Sequence, residues 1–261
     1  MRLATWNVNS LTARMPRVLE WIGRVQPDVL CLQETKLADE AFPHEAFKEL
    51  GYASAAHGDG RYNGVALLSR VGLERVSRGF AQEPGFPDPE RRAIAASCAS
   101  LRIWSLYVPN GRSLESPQLA YKLAWLEALR EAAGQEMAAG RSVVLCGDFN
   151  IAPTDDDVWD PAVFVDATHV SPAERRALDR LLQLGLTDVH PRALKGAPFT
   201  YWDYRAGMFH RGCGMRIDLV LISEALAATV RDAYIDRDAR KGPKPSDHAP
   251  VVVDLNLPDG G

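Results

Sequence analysis

The segment Gly147-Asp148-Phe149-Asn150 closes the apolar run Ser142-Val143-Val144-Leu145-Cys146. A continuous β-branched and aliphatic run reads as a buried strand, and glycine lets the chain turn sharply at its end. The turn sets an acceptor-only carboxylate and a neutral amide side by side at the rim of a rigid core. Metal-assisted phosphodiester hydrolysis needs that pairing: a base for water and a donor for a phosphate oxygen. Four other polar clusters flank strand-like runs: Trp6-Asn7-Val8-Asn9, Gln33-Glu34-Thr35-Lys36, Tyr107-Val108-Pro109-Asn110 and Ser246-Asp247-His248-Ala249-Pro250. A sixth, Arg216-Ile217-Asp218, begins one. Strand ends and strand starts share a rim in an antiparallel sandwich, so groups distant in the chain would converge there.

The elements that must position these tips are legible as hydrophobic patterns. Strand-like runs occur at Leu3–Val8, Val29–Leu32, Gly64–Ser69, Ile94–Val108, Val143–Cys146, Ile217–Ile222 and Ala249–Leu255. Helical spacing covers Pro16–Val25 and Gln118–Ala139, the latter with Leu119, Leu123, Leu126 and Leu129 on one stripe. Ser171-Pro172-Ala173-Glu174 is a capping box, opening a helix through Leu178, Leu181 and Leu182 that stops at Gly185. Val29–Glu34 and Val143–Asp148 echo each other as helix-preceded strands ending in a carboxylate. Two such halves predict an α/β (α+β) fold: a four-layer αββα sandwich of two packed, mainly antiparallel sheets flanked by helices.

With 261 residues and no Ser/Gly linker or low-complexity tract, residues 1–261 are expected to form a single domain, with 258–261 a disordered tail. The chain opens on a strand-like segment without a signal-peptide core, no stretch has the length of a membrane span, and cytoplasmic location is expected. Cys31, Cys98 and Cys146 lie in apolar runs, where a thiol packs as a small hydrophobe. The net charge is −4, but residues 171–247 hold 13 Lys/Arg against 10 Asp/Glu. The basic groups Arg205, His210, Arg211 and Arg216, then Arg237, Arg240, Lys241 and Lys244, would meet phosphates from loops. The acidic stretch Asp155–Asp157 reads as a solvated turn or a helix start rather than another ligand set.

Taken in order along nearly the whole chain, this set resembles the exonuclease III-type abasic-site endonucleases of the endonuclease/exonuclease/phosphatase superfamily. Gly-Asp-Phe-Asn and Ser-Asp-His are shared across the superfamily. Leu32-Gln33-Glu34-Thr35-Lys36, Phe199-Thr200-Tyr201-Trp202, Gly214-Met215-Arg216-Ile217-Asp218 and Leu186-Thr187-Asp188 after the third helix are closer to its repair nucleases.

The resemblance implies roles. Glu34 would be the principal ligand of Mg²⁺, with Mn²⁺ a substitute, and Asn7, Asp247, Asp148, Asn150 and His248 would complete the metal side. Asp148 would activate water and Asn150 would hold that carboxylate and a phosphate oxygen. His248 would donate to the phosphate with Asp218 fixing its ring, and Tyr107 would add a hydroxyl. Tyr201, Trp202, Met215 and Ile217 match the pocket for a turned-out abasic nucleotide. Asn110, Arg112, Lys36 and Arg205 would contact the DNA backbone. The implied activity is cleavage 5′ to abasic sites, with 3′→5′ exonuclease and 3′-end cleaning as phosphodiesterase or phosphatase. The implied partner is double-stranded DNA with abasic sites or blocked 3′ ends, met by a monomer, away from membranes; no protein partner, a sliding clamp included, is assigned. Two alternatives stand beside it: a phosphatase or sphingomyelin- or inositol phosphate-cleaving hydrolase of the superfamily, and a DNA-binding relative without chemistry.

Overall fold

Along Arg2–Asn7, Leu3 faces one layer while Ala4 and Trp6 face another, the period-two division of a strand buried on both sides. The computed structural model describes residues 1–80 and 90–257, and the same division runs through it. Its strands are β1 (Arg2–Asn7), β2 (Val29–Gln33), β3 (Ala53–His57), β4 (Val65–Ser69), β5 (Glu74–Arg78), β6 (Ala93–Cys98) and β7 (Leu101–Tyr107). They continue with β8 (Ser142–Asp148), β9 (Leu186–Asp188), β10 (Arg192–Ala193), β11 (Asp218–Ser223), β12 (Val230–Ile235) and β13 (Val251–Leu255). Among the described residues they form a seven-stranded sheet, β10-β12-β13-β1-β2-β4-β3, and a six-stranded sheet, β5-β6-β7-β8-β11-β9. Pairing is mainly antiparallel; β1 with β2, β7 with β8 and β10 with β12 run parallel.

The helices are α1 (Leu11–Val25), α2 (His44–Lys48), α3 (Pro117–Ala138), α4 (Pro172–Leu182), α5 (Met208–Arg211) and α6 (Glu224–Ala227). Between the sheets lie Leu3, Val29, Cys31, Ile103, Val144, Cys146, Val220 and Val251. Trp21 and Ile22 of α1 cover the outer face of the larger sheet over Ala4, Trp6 and Leu32. Trp125 and Leu129 of α3, with Leu178 and Leu181 of α4, cover the smaller sheet over Val143, Leu145 and Leu219. The four layers expected from the sequence are therefore present. Burying one such side chain contributes about 1.5–3 kcal/mol, so the strand tips stand on a stiff base.

Local differences have physical causes. The run Ile94–Val108 folds as the hairpin β6–β7 around Ala99-Ser100, with Ala99 at φ 49° doing what glycine usually does in such a turn. Helix α1 begins at Leu11, one turn and more before Pro16, because Ser10 caps it by accepting from the Ala13 N–H at 3.4 Å. The α4 capping box forms as expected. Strands β3, β5, β9, β10 and β12 carried no clear signal; they are short or lie toward sheet edges, where exposed polar residues break the apolar pattern. The expected disordered tail at 258–261 lies outside the described residues. Among those described, no helix is long and apolar enough to cross a membrane.

Candidate active site

One rim of the sandwich gathers the ends of β1, β2, β7 and β8, the start of β11 and the segment leading to β13. In the smaller sheet, Tyr107, Asp148 and Asp218 are register partners in a row across three strands. The residue before Asp148 must be glycine: Gly147 sits at φ +149°, and a Cβ there would overlap the Leu106 carbonyl of the parallel neighbour. Close approach of β7 to β8 thus sets where Asp148 emerges.

Asp148 is buried and accepts from the Asn150 backbone N–H at 2.9 Å and from Asn7 Nδ2 at 3.0 Å. Burial, with the charges of Asp218 and Glu34, raises its pKa to about 7 against the pull of His248 and the Asn150 N–H. Asn7 Nδ2 also donates to Glu34 Oε1 at 2.9 Å, so one amide ties the two sheets' carboxylates together. Lys36 Nζ lies 3.1 Å from Glu34 Oε2 and 2.6 Å from Asn9 Oδ1. Tyr107 donates its hydroxyl to Glu34; burial first, then Glu34 and Asp148, raises its pKa well above the phenol value.

His248 Nδ1 donates to Asp218 Oδ2 at 2.8 Å, and its Nε2 lies 3.7 Å from Asp148 Oδ2. Burial works against its charge, but Asp218 and Asp148 outweigh burial and raise the imidazolium to about 10. The two carboxylates thus favour the charged ring. The segment is braced by the Ser246 hydroxyl, which donates to the Asn7 carbonyl at 2.6 Å, and by the Trp6 indole, which donates to the His248 carbonyl at 3.2 Å. Donor atoms of Glu34, Asp148 and His248 all lie within 4.8 Å of one another, a grouping that could hold a metal ion. Asp247 stands aside, accepting from Asn9 Nδ2 at 3.1 Å.

Several non-glycine residues here occupy the left-handed region: Asn9, Ser10, Glu34, Lys36, Arg112 and Asn150, with φ from 45° to 87°. Such backbone is costly and persists where surroundings over-determine it, commonly at functional sites. Asn150 holds Asp148 through its main-chain N–H rather than its side chain. Its Nδ2 donates to the Val108 carbonyl at 3.0 Å, while its Oδ1 accepts from Asn110 Nδ2 at 3.1 Å.

Beside this cluster lies a cleft of about 480 Å³ whose lining includes Tyr201, Met215, Asn110, Arg112 and Arg205. The Tyr201 ring packs on His248 at 4.9 Å between centroids. Two expected pocket residues do not line it. Trp202 is 1 % exposed and edge-on to Phe209, and Ile217 is 2 % exposed in a small cluster with Ala152 and Val158. Trp202 alternates with Tyr201, while Ile217 lies deeper in the cluster that Met215 caps. Lys36 faces Glu34 instead of the cleft, and Arg205 is folded onto Asp203 at 2.6 Å. Arg216, expected in a phosphate-facing loop, is 1 % exposed and clamped by Asp157 at 2.6 Å and Asp188 at 2.9 Å. The stretch Asp155–Asp157 forms a short 3₁₀ helix, the helix start that the sequence allowed, with Asp157 itself buried.

The sequence reading missed Trp159, Phe164 and His169, which also line the cleft. Aromatics in a loop carry no spacing signal, and His169 has no motif around it. It missed Lys122 as well, for which a signal exists: Lys122 falls on the α3 stripe of Leu119, Leu126 and Leu129, where a charge requires a buried partner. That partner is Glu174.

The endonuclease/exonuclease/phosphatase family model matches residues 4–248. The exodeoxyribonuclease III of Haemophilus influenzae is 33% identical, over 98% of this chain and 100% of its own length. Among solved structures, the 3′ phosphatase NExo from Neisseria, bound to a product DNA hairpin, superposes with a TM-score of 0.93 at 41% identity, covering 98% of this chain and 100% of that one. An AP endonuclease from Archaeoglobus fulgidus gives 0.91 at 35% identity with the same coverage.

Proposed function

The chain belongs to the endonuclease/exonuclease/phosphatase family, and from that membership we propose the following reading of its rim: a DNA repair nuclease that hydrolyses the phosphodiester 5′ to abasic sites and trims or cleans 3′ ends of duplex DNA, by means of one domain spanning residues 1–261. The observation that carries it is the convergence of Glu34, Asp148, Asp218 and His248 beside a cleft, with Asp218 holding His248 and His248 facing Asp148.

The donor set fits a hard divalent cation. Glu34 and Asp148 offer oxygens bridged by one amide, and the Lys36 ammonium already lies against Glu34, showing a carboxylate turned toward positive charge. Mg²⁺, or Mn²⁺ in its place, would be held by Glu34 and Asp148 with Asn7 beside them. His248 faces the same position, its Nε2 3.7 Å from Asp148 Oδ2 and within the same group of donor atoms. Asn150 and Asp247 stand at the same rim, Asn150 Oδ1 accepting from Asn110 and Asp247 Oδ1 from Asn9, and would complete the metal side. When bound, the cation neutralises charge on the scissile phosphate and on the departing oxygen.

This chain's own groups supply the remainder. Asp148, held in place by the Asn150 N–H and by Asn7, accepts a proton from the attacking water. The His248 Nε2–H, kept charged by Asp218, donates to a non-bridging phosphate oxygen. Tyr107 and Asn110 complete the polar wall, and Tyr201 and Met215 shape the apolar side where the sugar rests. Because these groups are fixed before substrate arrives, most of the acceleration comes from alignment and charge dispersal.

Incubation with an abasic-site duplex, and separately with a 3′-phosphate-ended duplex, tests this reading. Cleavage of both in Mg²⁺ and neither in EDTA is expected. Failure to act on either duplex with Mg²⁺ present would refute it.

A further inference from the structure

Beneath the rim, outside the groups that touch substrate in the reading above, lies an ion pair that is completely excluded from solvent. Lys122 of α3 and Glu174 of α4 are both 0 % exposed and in direct contact. A pair with no route to water is weak evidence for stability, since apolar residues of similar volume often serve as well. Its connections point elsewhere. Lys122 Nζ donates to the Asn150 carbonyl at 2.6 Å. Glu174 Oε1 accepts from the His169 N–H at 3.0 Å and the Thr168 hydroxyl at 2.9 Å, and its Oε2 from the Ser171 hydroxyl at 2.6 Å. Asn150 and His169 are both left-handed, at φ 50° and 77°, and the His169 Nε2 meets Asn150 Oδ1 at 3.1 Å. One buried pair therefore grips Asn150 from two sides: its carbonyl directly through Lys122, and its side chain through Glu174 and His169. The Asn150 N–H at the other end of that residue donates to Asp148 Oδ1. Packing leaves little slack in this chain of contacts. A Cβ on Gly111, next to Asn110, would lie 2.5 Å from Thr168 Oγ1 and 3.5 Å from Glu174 Oε1.

We infer that Lys122 and Glu174 are positioning residues for the hydrolytic reaction: their buried contact fixes the Asn150 backbone, which aims the Asp148 carboxylate at the attacking water. The inference rests on the assignment of Asp148 as the water-activating group. Neither residue touches substrate, so their loss affects the chemical step and spares DNA binding.

The test uses the full-length protein, an abasic-site duplex and Mg²⁺. Lys122→Met alone strands a buried carboxylate, so the informative variant is the charge-free pair K122M/E174L, with its folded fraction read by thermal melting. Its single-turnover cleavage rate is expected to fall about 10²-fold, the scale of an ångström-level misplacement, with KM for DNA changing less than threefold. A folded double variant with the wild-type rate overturns the inference, and so does a loss carried entirely by KM. If the double variant does not fold, Glu174→Gln decides: it keeps the acceptor oxygen but weakens the hold on Lys122, and is expected to lower the rate several-fold at unchanged KM. A wild-type rate from it overturns the inference. Wild-type protein that cuts no DNA under these conditions would sink the assignment of Asp148 instead, so the two failures are separable.

Discussion

Carboxylates gather at two opposite edges of the sandwich, where its strands begin or end, and the two edges treat charge in opposite ways. At the far edge, where β1 begins and β13 ends, Arg2 meets Asp254 through two bonds of 2.8 and 2.9 Å, and Arg70 meets Asp28 at 2.9 Å. Each acid has its own guanidinium, partly exposed to water. At the active edge, Asp148 and Asp218 are buried against each other, and among the described residues Asp148 has no Lys or Arg in ion-pair contact, with His248 at 3.7 Å. Matched charge is compatible with a merely structural edge. Charge left unmatched inside a protein is costly, and under the proposed function a cation and a phosphate would complete it.

That contrast can be broken most sharply at Asp148 and His248. Asp148→Asn or His248→Ala is expected to lower kcat at least about 10³-fold, since each removes a group acting on the reacting atoms. The Asp148→Asn melting temperature should stay close to wild type, because that change relieves crowding among buried acids, whereas His248→Ala, which strands Asp218, should melt lower. Steady-state kinetics beside thermal melts would show it, and an Asp148→Asn stability loss matching its activity loss would erase the distinction between the edges.

Next in size is a buried pair that resembles the far edge in its matching. Burial alone would raise the Asp157 carboxyl, but the Arg216 guanidinium, by hydrogen bond and charge, holds it below the usual range. A depressed carboxyl adds stability that is complete above the unfolded value of about 3.9 and disappears as pH falls through the folded one. Asp157→Asn should cost about 3 kcal/mol at neutral pH and flatten the acid limb of a stability–pH curve from denaturant melts. Activity per folded molecule should be retained.

Arg2→Ala at the far edge should cost about 1 kcal/mol or less, because its partner is partly solvated, with turnover unchanged. The smallest effect is expected from Arg205→Ala. That side chain is exposed and folded on Asp203, so affinity should drop no more than about threefold and the salt dependence of DNA binding by at most about one counterion. Titrating binding against salt would measure both.

What was readable in the sequence followed the same line as the contrast between edges. Strand tips such as Asn7, Glu34, Asp148 and His248 stood out because apolar runs lead straight into polar groups, and sheet geometry then brings those groups together. Periodicity likewise yielded α1, α3 and α4. Residues whose role depends on a distant partner were not readable. Arg216 reads as a free cation until Asp157 and Asp188 close on it, and Lys122 sits in a leucine stripe with nothing nearby in the chain to pair it. Trp202 follows the cleft residue Tyr201 and Ile217 lies two positions past Met215, yet packing buries both. The β6–β7 turn was hidden because Ala99 adopts a conformation that sequence rules reserve for glycine.

The central claim is that Glu34 and Asp148, carried by different sheets, hold one cation between them. Anomalous diffraction from crystals soaked in Mn²⁺ tests it directly. The account predicts a peak at direct coordination distance, roughly 2.1 Å for a small octahedral cation, from a carboxylate oxygen of each residue. A peak elsewhere, or density at this rim that contacts neither carboxylate, would contradict it.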